Sequence, residues 1–308
     1  MGTPEFAGTN LKALIDGGFN VVLALCQPDK PVGRKHILTA PPVKVMALEN
    51  GIEVYQPDTL RTEEALEKLK AYEADLIVTA AYGKILPQSI LDLPGYGCIN
   101  CHGSLLPARR GASPVQRAIL EGDKVTGVTF MKMDAGMDTG DIIDKVEVEI
   151  DPNEHTESLM NRLAEASADK LPDIIDRWVA GGLTTIRQDE ALATACPPIR
   201  PEEGEFTWDQ DADAIHNRVR ALSAWPGAFV LKEDKKLKVL DSEVADESMV
   251  PEELKNSEPG TVVKAKGENL IVKCGEGFLK IKELQQPGGK KLRAADCAHN
   301  FTVGSPVI

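Results

Sequence analysis

Leu76-Ile77-Val78-Thr79-Ala80-Ala81 is the stretch of sequence that decides the fold class of this chain. A continuous, largely apolar run of this kind predicts a strand buried on both faces, as in a parallel sheet covered by helices. Further short apolar runs predict strands at 20–26 and 97–100. Helical patterns predict helices at 9–16, 43–50, 63–72 and 114–120. This alternation predicts an α/β domain whose sheet is mostly parallel.

Two later segments predict a different kind of strand pairing. Residues 125–133 and 141–150 are strand-like, and the second contains the alternating run Val146-Glu147-Val148-Glu149-Ile150. Alternation of apolar and charged side chains is typical of a half-solvated edge strand or hairpin. A helical stretch follows over 156–179. Because Pro172 lies inside that stretch, we expect either a kink or two helices.

The composition changes near residue 200, which predicts a domain boundary. Residues 183–203 mix threonine, proline and acidic side chains without a clear period, as is typical of a linker. An amphipathic helix is predicted at 212–222, and short alternating segments follow at 236–240, 260–265, 269–273 and 278–284. Evenly spaced short strands with glycine-containing turns predict a small β-barrel. The predicted domains are therefore 1–182 and 204–308.

The overall charge limits the classes of function. The 308 residues carry a formal net charge of −13, from 35 Lys and Arg against 48 Asp and Glu. This sign excludes a protein held to nucleic acid by its overall charge, so any such contact must be local. No apolar run reaches about 18 residues and no export signal is evident, so we expect a cytoplasmic protein without membrane association. There the six cysteines should be free thiols.

The most informative polar stretch is Cys98-Ile99-Asn100-Cys101-His102-Gly103-Ser104-Leu105-Leu106-Pro107. Its first five residues match the C-x-x-C-H pattern of covalent haem attachment. We reject this interpretation because attachment of that kind needs an exported, oxidising context. A zinc site is also disfavoured, because no second pair of Cys or His residues follows at ligand spacing.

Asn100 and His102 are two residues apart on a predicted strand, so their side chains share one face. Ligands bind at the carboxyl ends of strands in open α/β sheets. The loop over 133–141 contains three aspartates, Asp138 among them, and could reach the same place. An amide, an imidazole and a carboxylate suffice for acyl transfer, because they stabilise an oxyanion and keep the imidazole charged and oriented. For each residue alone, a solvated turn or a hydrogen-bonded core group remains the alternative.

Seven separated motifs resemble the formyltetrahydrofolate-dependent formyltransferase family. The longest is Asn-x-His-Gly-Ser-Leu-Leu-Pro-x-x-Arg-Gly-Ala-x-Pro-x-Gln, which begins at residue 100. The others lie at 1–7, 27–31, 81–87, 126–129, 137–141 and 286–291. The similarity therefore covers nearly the whole chain. It implies a Rossmann-like formyl-transfer domain followed by a small OB-like β-barrel.

The resemblance is greatest to the members of this family that formylate methionyl initiator tRNA. It implies that tRNA as partner, 10-formyltetrahydrofolate as co-substrate, no metal, and a role in translation initiation. By the same resemblance, Asn100 and protonated His102 would stabilise the oxyanion, and Asp138 would keep the imidazole charged and assist proton transfer. Folate binding is implied for Ser104, Leu105, Leu106, Pro107, Tyr82, Ile85 and Leu86. Binding of tRNA is implied for Arg34, Lys35, Lys290 and Lys291. We expect a monomer.

One departure from the family pattern concerns the first domain. Members of the family begin with a hydrophobic strand before the Gly-Thr-Pro loop, whereas here Met1 directly precedes Gly2. The first strand is therefore missing from this sequence, and we expect either that the start was assigned late or that the fold lacks this strand. Two other functions stay open at this point. One is formyl transfer to a sugar nucleotide or to water, and the other is folate or RNA binding with little catalysis.

Overall fold

The computed structural model describes residues 1–33, 36–232 and 235–308. They divide into two compact units. Unit one comprises Met1–Pro114, Val125–Glu149 and Leu159–Pro197, and unit two comprises Val115–Lys124, Ile150–Ser158 and Pro198–Ile308. The units interleave along the chain, whereas the predicted domains and linker (1–182, 183–203 and 204–308) are continuous. Those predicted limits stay predictions.

The α-helices are α1 (Glu5–Asp16), α2 (Pro42–Glu49), α3 (Glu63–Lys70), α4 (Gln88–Leu91), α5 (Pro114–Leu120), α6 (Thr156–Val179), α7 (Ala212–Ala221) and α8 (Ala294–Cys297). The strands of unit one are β1 (Ala24–Leu25), β2 (Lys30–Val32), β3 (Ile37–Thr39), β4 (Val54–Tyr55), β5 (Ile77–Ala80), β6 (Cys98–His102), β7 (Arg110–Gly111), β8 (Val125–Lys132), β9 (Ile142–Glu149) and β10 (Ala195–Cys196). The strands of unit two are β11 (Ala228–Lys232), β12 (Lys235–Val244), β13 (Val262–Lys266), β14 (Asn269–Lys273), β15 (Phe278–Gln285) and β16 (Lys291–Arg293).

The main sheet of unit one has the order β5-β6-β8-β9. Strands β5 and β6 are parallel, whereas β6, β8 and β9 pair antiparallel. The hairpin of β8 and β9 confirms the pairing predicted from alternation. A separate parallel pair joins β1 to β4. The α/β fold class predicted from the apolar run is confirmed.

The first two residues lie between these two parallel pairs. The backbone nitrogen of Met1 donates to the carbonyl oxygen of Val78, and Ala80 donates to that of Met1. Gly2 donates to Leu25 on the other side, at 2.9 Å. Met1 and Gly2 therefore link β1 to β5 through backbone hydrogen bonds.

Helix α6 shows how local sequence and packing combine. It is one continuous helix of 24 residues with Pro172 inside it, so the expectation of two helices was wrong. Its apolar positions Leu159, Leu163, Leu171 and Ile174 are fully buried. Burial of such side chains contributes roughly 1.5–3 kcal/mol each. This total exceeds the cost of about 3 kcal/mol of an internal proline.

Unit two contains a six-stranded antiparallel sheet in the order β11-β12-β15-β14-β13, with β16 also pairing with β15. Its core contains Ile215 and Val219 of α7 against Val239, Leu270 and Leu279 of the sheet. The sequence predicted four of these strands and missed β11 and β16. Among the described residues no strand pairing joins β11 to β13, so closure into a barrel stays a prediction. Within the described ranges, no helix has the length and apolar character needed to cross a bilayer.

Candidate active site

Strand β6 positions two of the predicted catalytic side chains. Asn100 lies opposite Thr79 of β5 and Met131 of β8, and His102 lies opposite Thr129 of β8. Because the two residues are separated by one position in a strand, they share a face of the sheet. The structure therefore brings Asn100 and His102 together at the carboxyl end of β6.

The amide of Asn100 is oriented by a buried hydroxyl. Thr79 Oγ1 donates to Asn100 Oδ1 at 2.8 Å, and Thr79 is 2% exposed. This bond uses the amide oxygen and turns Nδ2 the other way, where it lies 3.5 Å from Asp138 Oδ1. The amide thus presents N–H groups, the donors that a developing oxyanion needs.

The imidazole of His102 lies between two acceptors. Its Nε2 is 3.0 Å from the carbonyl oxygen of Arg109, and its Nδ1 is 3.6 Å from Asp138 Oδ2. Since a carbonyl oxygen can only accept, the Nε2 position carries the proton. Nδ1 is therefore the nitrogen that can gain or lose a proton beside the carboxylate. The two side chains are only 7% and 16% exposed, which strengthens their electrostatic interaction.

Asp138 is held by backbone geometry. Its φ of 55° places it in the left-handed region, which is uncommon for residues other than glycine. Its Oδ2 accepts a hydrogen bond of 2.9 Å from the backbone nitrogen of Gly111. The loop of Asp138 thus meets the segment that follows Pro107, and Asn100, His102 and Asp138 form one cluster.

The backbone at Arg109 and Gly111 has little freedom. Arg109 has a φ of 63°, and Gly111 has a φ of 128°. A Cβ atom on Gly111 would lie 2.5 Å from the carbonyl oxygen of Cys196, so only glycine fits beside β10. This close approach keeps the Arg109 carbonyl on His102 and the Gly111 nitrogen on Asp138.

The segment Ser104, Leu105, Leu106 and Pro107 is tied to β8. Thr129 Oγ1 donates to the carbonyl oxygen of Ser104 at 2.6 Å and accepts from the nitrogen of Leu106 at 3.0 Å. The Leu106–Pro107 peptide bond is cis. The side chains of Ser104 and Leu106 are buried, whereas Leu105 and Pro107 are partly exposed. Of these four predicted folate contacts, Leu105 and Pro107 have accessible side chains.

The other three predicted folate contacts have different environments. Ile85 is 59% exposed, whereas Tyr82 and Leu86 are 4% and 3% exposed and lie in the core with Leu25, Leu60 and Leu69. Burial raises the pKa of the Tyr82 hydroxyl to about 12, so it stays protonated. A ligand can therefore reach the side chain of Ile85, but Tyr82 and Leu86 can offer only their backbone.

The cysteines of the C-x-x-C-H pattern are core residues. Cys98 and Cys101 are both buried, and burial raises the pKa of each thiol to about 12. Protonated, buried thiols are poor ligands and poor nucleophiles. The structure thus gives a physical reason for rejecting the haem and zinc interpretations.

Of the four predicted tRNA contacts, the structure describes two. Arg34 and Lys35 are outside the described residues. Lys290 and Lys291 are exposed, at the start of β16. Two lysines of β15 are neutralised by ion pairs, since Lys280 pairs with Glu243 at 2.7 Å and Lys282 with Asp241 at 3.2 Å.

The sequence did not predict three groups of the site, which are Thr79, the Arg109 carbonyl and the Gly111 nitrogen. Thr79 was visible in the sequence as the one hydroxyl in an otherwise apolar run. The other two are backbone groups in unusual conformations, and no side-chain pattern indicates them.

Comparison with known proteins gives consistent matches along the chain. Residues 1–175 match the family model described as formyl transferase, and residues 198–302 match that of the formyl transferase C-terminal domain. A methionyl-tRNA formyltransferase of Caldicellulosiruptor saccharolyticus is 44% identical over 305 residues, covering 98% of this chain and 96% of the relative. One of Geobacter metallireducens is 42% identical over 296 residues, covering 96% and 93%.

A solved structure shares the fold at much lower identity. The sugar 3N-formyl transferase WlaRD, crystallised in the presence of dTDP and 5-N-formyl-THF, is 19% identical with a TM-score of 0.66. The alignment covers 92% of this chain and 95% of that one. This chain therefore shares its fold with that structure.

Proposed function

The chain belongs to the formyl transferase family, and we propose that it transfers the formyl group of 10-formyltetrahydrofolate to the α-amino group of methionyl initiator tRNA. The observation that carries this proposal is the cluster of Asn100, His102 and Asp138 in a chain that matches methionyl-tRNA formyltransferases over nearly its full length. Both family domains are present, including the C-terminal one.

The cluster has the groups that formyl transfer needs. The methionyl nitrogen forms a bond to the formyl carbon, the bond to N10 of the folate breaks, and charge builds on the formyl oxygen in between. The donors that we propose for that oxygen are an N–H of Asn100 and Nδ1 of His102, both of which lie beside Asp138. The Asp138 carboxylate lies 3.6 Å from Nδ1 of His102, and together the two groups can move the proton from the attacking amine toward the leaving nitrogen.

For the folate, the accessible apolar side chains near the cluster support a site along the Ser104–Pro107 segment. Leu105 and Pro107 are partly exposed on that segment, and Ile85 and Met137 are 59% and 61% exposed on the loops after β5 and β8. Apolar side chains of this kind suit the faces of a planar ring, and backbone groups of Tyr82 and Leu86 suit its polar edge.

For the tRNA, Lys290 and Lys291 supply unpaired positive charge on unit two. Neither makes an ion pair with any residue that the structure describes. Because the protein is acidic overall, a local basic surface of this kind is where phosphate contacts belong. Arg34 and Lys35 complete the proposed tRNA contacts on the basis of the family resemblance. We further propose that the chain acts as a monomer in the cytoplasm.

A comparison of acceptors tests this proposal. Purified chain and 10-formyltetrahydrofolate would be incubated with methionyl initiator tRNA, with an amino-sugar nucleotide, or with no acceptor. We expect formyl-methionyl-tRNA as the dominant product. Faster formylation of the sugar, or faster release of formate, would contradict the proposed acceptor. A His102→Ala variant is the control, because transfer by the proposed cluster should fall by roughly 100-fold or more.

A further inference from the structure

Gln188, which lies beyond the end of α6, contacts the loop of Asp138 from outside the cluster. Its Nε2 donates to the carbonyl oxygens of Asp138 and Gly140, at 2.9 and 2.7 Å. The side chain is 4% exposed. Both amide hydrogens are therefore used, and they fix the backbone on the two sides of Thr139.

The amide of Gln188 is itself held from the opposite side. Its Oε1 accepts a hydrogen bond of 3.0 Å from Arg110 Nε. Arg110 also donates two hydrogen bonds of 2.9 Å to Glu190 through its terminal nitrogens. Such a paired arginine–carboxylate contact has a fixed geometry, so the orientation of the Gln188 amide is determined.

The same hydrogen-bond network also includes the carboxylate of Asp138. Arg110 directly precedes Gly111, whose nitrogen donates to Asp138 Oδ2. Gln188 thus connects the backbone of the Asp138 loop to the strand that supplies the donor to the Asp138 side chain. The backbone and the side chain of Asp138 are therefore both held by the network of Gln188, Arg110 and Gly111.

The 138–140 loop has an unusual backbone conformation that other residues must hold. Asp138 has a left-handed backbone, and a Cβ atom on Gly140 would lie 1.8 Å from the carbonyl oxygen of Lys132. A conformation of this kind persists only when its surroundings hold it in place. Gln188 is the side chain that holds both carbonyl groups.

We propose that Gln188 is a positioning residue for formyl transfer, which keeps the Asp138 carboxylate opposite His102 by holding the backbone of the 138–140 loop. This inference rests on the proposed function. Displacement of a catalytic group by about 1 Å can reduce a rate by roughly 100-fold. The loss should appear in kcat, since Gln188 does not belong to the proposed substrate contacts.

The test is a double-mutant cycle. Gln188→Met keeps the length of the side chain but removes all three hydrogen bonds. We expect kcat to fall by roughly 10- to 100-fold, the range for leaving buried polar groups unpaired, with both KM values changed less than about twofold. In an Asp138→Ala background the same change should cost less than about threefold, because the carboxylate it positions is gone. Equal losses in both backgrounds would mean a structural role and would overturn the proposal.

Two further variants keep the test decisive. Gln88→Met is the matched control, because Gln88 is exposed on α4 and donates only to Asp92, so kcat should not change. Glu190→Gln weakens the network from its exposed end, where Glu190 is 68% exposed, and so tests it even if Gln188→Met does not fold. We expect a fall in kcat of roughly twofold to fivefold for Glu190→Gln. A wild-type kcat in this variant would overturn the proposal.

Hydrogen exchange separates this proposal from the proposed function. In Gln188→Met the backbone amides of residues 134–140 should exchange faster than in the wild-type chain, whereas exchange in Gln88→Met should be unchanged. If the wild-type chain transfers no formyl group to methionyl-tRNA, the proposed function fails. The exchange rates then still decide whether Gln188 holds the loop, and unchanged rates would overturn that role.

Discussion

Replacing Asp138 by asparagine removes one negative charge and puts an amide nitrogen in place of Oδ1, the oxygen that lies 3.5 Å from Asn100 Nδ2. The asparagine side chain keeps an oxygen that can accept the hydrogen bond from the backbone nitrogen of Gly111. The two carbonyl contacts to Gln188 are made by backbone and are not changed by the substitution. Asp138→Asn therefore tests the charge of the carboxylate together with its weak contact to Asn100, and it leaves the backbone contacts in place.

The size of the effect follows from the geometry of the pair. Opposite unit charges 3.6 Å apart attract by about 4–5 kcal/mol at an effective dielectric constant of about 20. Solvation of the charges reduces this value, since Asp138 is 16% exposed. Removal of comparable stabilising groups from other enzymes costs about 2.7–4 kcal/mol. We expect the rate of formyl transfer to fall by roughly 100- to 1,000-fold.

The assay is single-turnover transfer from 10-formyltetrahydrofolate to methionyl initiator tRNA at saturating enzyme. Under these conditions the rate reports the chemical step and not product release. Asp144→Asn is the matched control, because Asp144 is a carboxylate on β9 that accepts a hydrogen bond from the backbone of Lys145, away from the cluster. A rate for Asp138→Asn within threefold of the control would refute the role assigned to the carboxylate.

Three further predictions concern groups at and beyond the cluster. Thr79→Val removes the hydroxyl that orients the amide of Asn100 and should lower the rate of formyl transfer by about 10-fold in the same assay. Glu203→Gln should lower the free energy of unfolding at pH 7 by about 1–2 kcal/mol, because Arg117 donates two hydrogen bonds of 2.6 and 3.0 Å to Glu203. These bonds hold the pKa of Glu203 below its usual value. The difference in unfolding free energy between the wild-type chain and Glu203→Gln is therefore complete above about pH 4.3 and disappears as the pH falls through the lowered pKa. Denaturant titrations at pH 7 and pH 3 check this. Lys290→Gln and Lys291→Gln should each raise the KM for tRNA severalfold and weaken its salt dependence.

Each of these predictions has a control within the chain. Thr185→Val removes a hydroxyl that donates to Asp141, and it should leave kcat unchanged. Lys280→Gln removes a lysine already paired with Glu243, so its effect on the KM for tRNA should be smaller than that of Lys290→Gln. Equal effects of both lysines would contradict local phosphate binding near β16. For Glu203→Gln the titration at low pH is the control, because the difference in unfolding free energy between the two chains should shrink as the pH falls.

The sequence predicted the central strands and the residues on them better than the loop contacts that hold those residues in place. The apolar run at 76–81 predicted a strand of a parallel pair, and the spacing of Asn100 and His102 predicted a shared face, because both depend on local periodicity. The family resemblance indicated Asp138, which lies 36 residues beyond His102 in the chain. Sequence spacing alone gives no distance across such a separation, since the loop conformation depends on Gly111 and Gly140.

Other features depended on contacts that no local pattern contains. Gln188 lies in a segment that we interpreted as linker, and its role comes only from meeting Asp138 and Gly140 in space. Leu86 and Tyr82 were predicted to contact folate, but the structure places their side chains in the core. An apolar residue in a loop can pack inward or face a ligand, and the sequence does not distinguish the two.

The pairing of β7 with β10 determines where the two family domains can be recombined. The formyl transferase family model ends at residue 175, but Arg110 and Ala112 donate to the carbonyl oxygens of Thr194 and Cys196, at 2.8 and 2.9 Å. A chimera joined at residue 175 would therefore place a foreign strand beside Arg110 and Gly111 of β7. A crossover after Pro197 would keep the native one. In the engineering of chimeras, a crossover after Pro197 keeps the segment from 176 to 197 with the rest of unit one, but the native Val115–Lys124 and Ile150–Ser158 must then pack against a foreign Pro198–Ile308.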